Sequence, residues 1–243
     1  LNGEQLQCDL QTQLDIAHDY ARAGFLAEAV ELLKAAAATL GDLPDQSWGA
    51  RPLVHYTLGW LEQKHGDEKS ALKHFKRAAA LAPDYCFPAR LEEIAFLESA
   101  MRANPQDARA PYYLGNLLYD RRRPEEAILL WERSARLDSK FSIVWRNLGL
   151  AYFNLRHQTA KARAAYARAF RVNPDDARLL FERDQLWKRV GIKPEKRLPQ
   201  LLRRFQFAPR RNVLNLELCA PYSQSGQHEQ AFSPIVDRKG DLG

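Results

Sequence analysis

Cysteine and long apolar runs are both scarce in this chain of 243 residues, and each shortage excludes a class of protein. The three cysteines, Cys8, Cys86 and Cys219, are odd in number and far apart, so they indicate neither a disulfide framework nor a zinc-binding C-x-x-C pair. Such usage is typical of a reducing compartment. No apolar run approaches the roughly 20 residues that cross a bilayer, and we therefore expect a cytoplasmic protein without membrane contact. Because the chain opens at Leu1 rather than Met, we also expect it to be a piece of a longer protein.

The motifs of enzyme active sites and metal centres are also missing from the sequence. The six histidines form no H-E-x-x-H pattern, and the chain holds no G-x-S-x-G, phosphate-binding loop or G-x-G-x-x-G. Asp15 and Asp19 share a predicted helix face, but a solvated acidic pair explains them without an acid–base role. Cys219 precedes His228 at a small packing position, where cysteine is typically an inert apolar residue. We predict a non-enzymatic protein with no catalytic residue, no cofactor and no metal site.

What the chain does contain is a pattern that recurs at an interval of 34 residues, the distance from Gly115 to Gly149. Around each glycine, large and small residues stand at i, i+3, i+4 and i+7, the spacing of one face of a helix. A fixed period of this length is typical of helix pairs stacked as a solenoid. The matching positions are Pro111, Leu114, Gly115 and Leu118 in the earlier copy and Trp145, Leu148, Gly149 and Tyr152 in the later one.

A second helix completes each copy. Pro124 followed by two acids is typical of a helix start, because proline suits the first turn and acids favour the positive end of the helix dipole. Ala127 and Trp131 then form one apolar stripe, which Ala162 and Tyr166 repeat in the later copy. Small residues where the helices cross let the backbones approach, and the large residue fills the neighbouring space.

This pattern, W-x-x-L-G-x-x-Y followed by alanine, an aromatic residue, alanine and proline, resembles the tetratricopeptide repeat. The resemblance implies an all-α fold, a right-handed superhelical solenoid of antiparallel helix pairs, with about six repeats in a single domain spanning residues 1–243. The third repeat is shortened, because Asp84 to Pro88 is too short for a first helix, and we expect a bend there. The predicted units are residues 9–40, 51–83, 84–105 (partial), 108–139, 141–174, 175–209 and 211–235.

Several stretches show a closer similarity. Asp84 to Ile94, Asp107 to Tyr119 and Val144 to Phe153 resemble the C-terminal repeat region of a family of long, mostly bacterial proteins, in which a domain of unknown function precedes the repeats. That preceding domain is similar to a sugar-mutarotase β-sandwich. The resemblance assigns no catalytic residue to this chain. It implies an alternative function, an accessory repeat domain of a carbohydrate-active or sugar-binding protein, with a glycan as the ligand.

The resemblance to tetratricopeptide proteins also implies where a partner binds. In that class the first helices of successive units line a concave groove, and the groove predicted here mixes aromatic, amide and basic side chains, which are typical interface anchors. We interpret the chain as a scaffold for protein–protein interaction that binds a peptide or partner segment there. The alternative is that these aromatics only fill the inside of a tight superhelix. The predicted groove residues are His18, Tyr56, Trp60, Gln63, Tyr112, Asn116, Tyr119, Arg146, Phe153, Phe181, Gln185 and Lys188.

Two features of the predicted groove concern the charge of the ligand. Arg146 and Lys188 favour a carboxylate on a peptide ligand. Some tetratricopeptide proteins hold the acidic C-termini of chaperones with a clamp of lysine and asparagine, but Tyr56 and Tyr112 stand here where basic clamp residues would be needed. The resemblance therefore does not extend to that ligand.

A basic segment gives the rival hypothesis, binding of RNA. Between Glu182 and Arg211 ten basic residues outnumber three acids, whereas the whole chain carries a net charge of only +6. The charges of residues 183–211 fall on both helices and their loops rather than at one repeated position, so nucleic acid is the least favoured partner. Within the segment, Asp184 stands at a small packing position and is placed to pair with Lys196.

Overall fold

The computed structural model describes residues 9–39 and 49–197, and helices are the only regular secondary structure in those two ranges. The predicted unit at 211–235 lies outside the described residues, as do Cys8, Cys219 and His228. The helices are α1 (Leu10–Arg22), α2 (Leu26–Thr39), α3 (Arg51–Lys64), α4 (Glu68–Ala80), α5 (Glu92–Ala103), α6 (Arg109–Asp120), α7 (Pro124–Leu137), α8 (Ser142–Asn154), α9 (Thr159–Val172) and α10 (Ala177–Arg189). Residues 194–197 are also helical.

The chain divides into two compact units, which are residues 1–139 with α1 to α7 and residues 140–243 with α8 to α10. In the first unit α1 packs on α2, α3 on α4 and α6 on α7, and in the second unit α8 packs on α9. A turn of three or four residues joins the helices of each pair, so the two partners run antiparallel. The all-α architecture of antiparallel helix pairs predicted from the sequence is confirmed.

The turn within each pair uses a residue in the left-handed region of backbone space. Gly24 and Gly66 take φ values of +90° and +84° after α1 and α3, where glycine has no Cβ to clash. Arg122 and His157 stand in the corresponding turns after α6 and α8, with φ values of 61° and 53°. A residue with a side chain costs roughly 1 to 2 kcal/mol in this conformation. The packing of the pair, rather than local preference, therefore holds these two turns.

Three of the helix pairs cross at a glycine on the first helix and an aromatic ring on the second, and the first of these is Gly59 of α3 against Phe75 of α4. Gly115 of α6 faces Trp131 of α7, and a Cβ on this glycine would lie 2.6 Å from the indole Cδ1. Gly149 of α8 faces Tyr166 of α9, where the same construction gives 2.6 Å to the ring Cδ2. Both distances are far shorter than an ordinary carbon–carbon contact of about 3.5 to 4.0 Å. Glycine is therefore required at these crossings for steric reasons.

The structure places a single helix, α5, in the third predicted repeat. The segment that precedes α5 is not helical and alternates in burial, with Cys86 and Pro88 buried and Tyr85 and Phe87 65% and 68% exposed. Burial raises the pKa of the Cys86 thiol to about 12, so this cysteine remains a protonated packing residue at neutral pH. The segment is thus anchored by alternate residues although it forms no helix.

A buried ion pair in the second unit corrects one expected contact. Asp184 of α10 pairs with Arg197 rather than with Lys196, at 2.8 Å between Oδ1 and Nε and 2.5 Å between Oδ2 and Nη2. Both side chains are only 3% exposed. Successive residues of a helix point about 100° apart, so the helical turn at 194–197 can direct only one of the two basic side chains at α10.

We expect Gly149→Ala to destabilise the protein by about 1 to 3 kcal/mol, because the added methyl group needs space that Tyr166 already fills. In an open helix the same change stabilises by up to about 1 kcal/mol, so the sign of the effect tests the crossing. Chemical denaturation followed by circular dichroism measures it. Gly149→Ala combined with Tyr166→Leu is the matched control. If replacing the Tyr166 ring by the smaller leucine side chain recovers none of the loss caused by Gly149→Ala, the steric explanation is wrong.

Asp184→Ala should lower the free energy of unfolding by roughly 3 to 5 kcal/mol, because it leaves the buried Arg197 guanidinium without its counter-charge. Thermal unfolding of the purified variant checks this value. Lys196→Ala serves as the control and should change stability by no more than about 0.5 kcal/mol. A wild-type melting temperature for Asp184→Ala would rule out an energetic role for the pair.

Candidate functional site

The predicted groove residues of α1 and α3 lie under α5, which the chain itself lays across them. The ring of Phe96 from α5 lies 5.3 Å from the ring of His18 and 4.5 Å from that of Trp60, measured between centroids. Ser99, almost one helical turn further along α5, donates a hydrogen bond from Oγ to Oε1 of Gln63. His18, Trp60 and Gln63 therefore lie on one surface, but α5 of the same chain occupies that surface.

Polar contacts fix the start of α5 on α1. Arg90 lies 3.6 Å from a carboxylate oxygen of Asp15 and 3.2 Å from one of Asp19, and its Nη1 donates to the Asp15 carbonyl. Glu93 accepts hydrogen bonds from the backbone N–H groups of Ala89 and Arg90 at 2.7 Å and 2.8 Å. Asp15 and Asp19 are thus an anchor for the shortened repeat, rather than a merely solvated acidic pair.

Tyr56 and Tyr112 correct the expectation of an open groove, because both are buried. Tyr56 is 0% exposed and donates from its hydroxyl to Asp107 Oδ2 at 2.9 Å, while Tyr113 meets its ring edge-on at 5.9 Å. Tyr112 is 2% exposed. Since the third repeat lacks a first helix, the start of α6 reaches α3 directly, and Asp107 at that start accepts the Tyr56 hydroxyl. These two tyrosines are packing residues.

The remaining predicted residues of the first unit, Asn116 and Tyr119, lie beside the helix crossing of the α6–α7 pair. Trp131 donates from Nε1 to Asn116 Oδ1 at 3.1 Å, and the Tyr119 ring lies 5.4 Å from the Trp131 ring. Tyr119 is 42% exposed. Asn116 therefore holds the indole in place, whereas Tyr119 presents an aromatic surface to solvent.

In the second unit, Arg146 is engaged by a carboxylate of the same chain. Its Nε lies 2.6 Å from Glu182 Oε2 and its Nη2 lies 2.5 Å from Oε1, with both side chains about 15% exposed. Arg178 donates to the same Glu182 oxygen at 3.0 Å. Burial, with the nearby Glu182 charge, raises the pKa of Tyr166 well above its usual range. The expectation that Arg146 awaits a ligand carboxylate is therefore wrong.

A cleft of about 210 Å³ lies between α8, α9 and α10. Three of the predicted groove residues, Phe153, Phe181 and Gln185, form part of its wall, and the buried Nε2 atom of Gln185 has no hydrogen-bond partner within residues 9–39 and 49–197. Lys188 is exposed, but the basic residue that lines the cleft is Arg189. Sequence reasoning missed Arg189, although its place four residues after Gln185 puts it on the same helix face.

Two basic residues of the predicted RNA-binding segment are buried in the structure. Arg183 is 6% exposed, and its guanidinium lies 3.7 Å from the Phe170 ring centroid and 4.5 Å from that of Trp187. Arg197 is neutralised by Asp184. The arginines at 203, 204, 210 and 211 lie outside the described residues. Two of the charges that would meet phosphates are therefore used inside the protein.

The fold also alters the titration of the predicted groove residue His18. It is 2% exposed, its Nε2 lies 3.3 Å from Thr57 Oγ1, and its Nδ1 has no hydrogen-bond partner among the described residues. Burial, followed by the positive charge of Arg90, lowers the pKa of His18 to about 4. The imidazole is therefore neutral at physiological pH.

Residues 9–39 and 49–197 contain neither a candidate membrane-spanning helix nor a candidate metal-binding cluster of three or more side chains. None of the helices in that part of the chain is long and apolar enough to cross a membrane. Groups of three or more histidine, cysteine, aspartate or glutamate side chains placed to hold a metal ion are also absent from it.

Sequence profiles of known families identify the repeat class. Residues 52–85 and residues 95–140 each match a profile of the tetratricopeptide repeat. The chain therefore contains tetratricopeptide repeats, as the spacing of its glycines and aromatics predicts. Proteins built from these repeats are generally non-catalytic scaffolds for interaction with other proteins. The closer similarity to a long bacterial family with a preceding domain of unknown function stays a prediction.

The comparison with the solved structure of PilF supports this fold. PilF of Pseudomonas aeruginosa is 17% identical, with a TM-score of 0.50 over 96% of this chain and 91% of that one. MamA is 17% identical, with a TM-score of 0.49 over 75% of this chain and 95% of that one. YrrB, described as a tetratricopeptide-repeat protein with an unusual peptide-binding site, is 17% identical with a TM-score of 0.43 over 85% and 89%. At such identities the similarity concerns the fold alone.

Acidification should destabilise the first unit through His18. Its folded-state pKa of about 4 lies below the unfolded value of about 6.5, so its stabilising contribution is complete above pH 6.5 and is lost as the pH falls towards 4. Between pH 6.5 and about 4.5 this loss amounts to about 2 to 3 kcal/mol. Urea unfolding at a series of pH values measures it. His18→Gln should flatten the profile and His157→Gln, at an exposed position, should not; identical profiles for all three proteins would contradict the assignment.

Proposed function

We propose that this chain is a non-catalytic interaction module and that the cleft between α8, α9 and α10 holds a side chain of an extended peptide segment. The observation that supports this most directly is the amide of Gln185, whose Nε2 is buried at the cleft wall without a hydrogen-bond partner among the described residues. A buried donor without an acceptor costs free energy. A ligand carbonyl placed in the cleft would recover that cost once the amide turns towards it.

The size of the cleft limits what it can accept. Its volume of about 210 Å³ is smaller than the roughly 300 to 1,000 Å³ of typical ligand pockets. One large side chain fits such a space, whereas a folded partner does not. Phe153 and Phe181 line it with aromatic rings, which favour an aromatic or aliphatic side chain by burial and by edge-to-face contact.

Charges at the cleft favour an acidic group on the ligand. Glu182 also lines the cleft, but its carboxylate is compensated by Arg146 and Arg178. Arg189 at the cleft wall is exposed and brings a guanidinium that can bind a carboxylate through two parallel hydrogen bonds. The preferred segment therefore combines one large apolar side chain with a nearby acid or a C-terminal carboxylate.

The first unit indicates which side chain such a face accepts. The predicted groove positions on each helix are spaced at i, i+4 and i+7, and we call this set the groove stripe. His18 on α1 and Trp60 on α3 stand at its middle position, i+4, and the chain's own Phe96 packs against both. Leu150 and Gln185 occupy the same stripe position on α8 and α10, and they line the cleft. By this correspondence, we expect an aromatic residue of the ligand to take the place that Phe96 takes in the first unit.

The test is a selection of random linear peptides on the purified chain, followed by fluorescence polarisation with the enriched peptides. The enriched set should carry an aromatic residue next to an acid. Phe181→Ala should weaken binding by roughly tenfold or more, as expected when an interface anchor is removed. Gln185→Ala should also weaken it, because the ligand carbonyl then loses its donor.

Tyr119→Ala is the matched control, because Tyr119 is another aromatic of the predicted groove but lies in the first unit and is exposed. Its affinity for the enriched peptides should equal that of the unchanged protein. Circular dichroism establishes that each variant is folded. A selection that enriches no peptide, or peptides that bind the Phe181→Ala protein as tightly as the original, would overturn the proposal.

A further inference from the structure

Two histidines outside the proposed binding cleft face each other across the α3–α4 pair. The Nδ1 atoms of His55 and His74 are 3.2 Å apart, and the two rings lie nearly parallel with centroids 5.4 Å apart. His55 is 9% exposed and His74 is partly exposed, so the pair lies just below the surface. Without a bound ion, one ring donates its Nδ1 proton to the other.

The separation of the two nitrogens matches that of two ligands on one metal ion. Nitrogens bound to a tetrahedral zinc ion at 2.0 to 2.1 Å are about 3.3 to 3.4 Å apart, and nitrogens bound at right angles are about 2.9 Å apart. The observed 3.2 Å between the Nδ1 atoms falls between these values. Both rings, buried His55 as well as the partly exposed His74, must then turn so that their lone pairs point at one ion instead of at each other.

The surroundings keep both imidazoles neutral, which is the form that binds metals. Burial lowers the pKa of His55 to about 4, and the neighbouring His74, Arg77 and Arg51 act in the same direction. Burial also lowers the pKa of His74, although the Glu62 carboxylate opposes this. Guanidinium groups lie towards His55, and the Glu62 carboxylate towards His74 is already paired with Lys34 at 2.9 Å. The charges around the pair therefore do not attract a cation, and any binding must come from the two imidazole nitrogens.

We propose that His55 and His74 form a two-imidazole site for a divalent transition-metal ion of borderline softness, namely Cu²⁺, Ni²⁺ or Zn²⁺. Both Nδ1 atoms bind the ion, and the ring that carried the shared proton becomes the Nε2–H tautomer, so no net proton is released. Among the described residues no third histidine, cysteine or carboxylate completes the set, so water fills the remaining positions. Hard cations such as Mg²⁺ prefer oxygen ligands and are excluded.

The consequence of binding is a link between the two helices of one repeat. His55 lies on α3 and His74 on α4, so an ion held by both stabilises the folded pair and not the unfolded chain. Stabilisation by a ligand that binds only the folded state rises with its concentration. A metal-dependent increase in the melting temperature is therefore the direct signature of the site.

The experiment titrates the chain, prepared without a histidine tag, with CuCl₂, NiCl₂, ZnCl₂ and MgCl₂ by calorimetry and thermal unfolding. We expect one equivalent of Cu²⁺ to bind, tighter than Ni²⁺ or Zn²⁺, with a raised melting temperature and no effect of Mg²⁺. His55→Gln and His74→Gln should each abolish the shift. With Cu²⁺, electron paramagnetic resonance should show two coordinated imidazole nitrogens in the original protein.

His65→Gln is the matched control, because His65 is exposed at the end of the same helix α3. This variant should keep the full metal response, and circular dichroism verifies that all three variants fold. The proposal is overturned if Cu²⁺ gives no shift in melting temperature. It is equally overturned if the shift persists in His74→Gln, since the ion then binds elsewhere.

Discussion

The close approach of a glycine and an aromatic ring at three of the helix crossings is the constraint on which the rest of this protein depends. Gly59 meets Phe75, Gly115 meets Trp131 and Gly149 meets Tyr166, in every case at a separation that leaves no room for a Cβ. Two of these rings also contact residues beyond the glycine. Trp131 thereby donates to Asn116, and Tyr166 lines the cleft. The residues that set the spacing of a pair thus also contribute to the surface where we place ligand binding.

The missing helix of the third repeat explains why the two units differ. In the first unit α5 packs against the exposed side of α1 and α3, where Phe96 and Ser99 use the contacts that an external ligand would need. The carboxylate of buried Glu93 accepts hydrogen bonds from two backbone N–H groups in the segment before α5 and thereby fixes the start of this helix. In the second unit, Leu150 and Gln185 at the same stripe position border a cleft instead. Where a repeat lacks its first helix, the groove of the preceding helices is thus filled by the chain itself.

The sequence predicts the helix pairs well because their pattern is local: a glycine and an aromatic residue about sixteen positions apart specify a crossing wherever they recur. It predicts the partners of polar side chains poorly. Arg146 finds Glu182 36 residues away, a contact that depends on how one repeat is rotated on the next. The repeat pattern predicts a groove position for Tyr56, but the structure buries its side chain completely. Its burial results from the shortened repeat, which brings Asp107 to the Tyr56 hydroxyl. The pattern of a single repeat cannot predict a contact between different repeats.

Charge pairing in the second unit determines what its surface can recognise. The buried Asp184 is neutralised by Arg197, Arg146 by Glu182, and Arg183 is held between two aromatic rings. Paired charges in a protein interior produce a weak external field, so Arg183 and Arg197 contribute little to a phosphate-binding surface. In the binding mode that we propose, recognition in the cleft depends on shape, on the amide of Gln185 and on the exposed Arg189. The side chain that the ligand buries then gives most of the selectivity, and its charge directs the orientation.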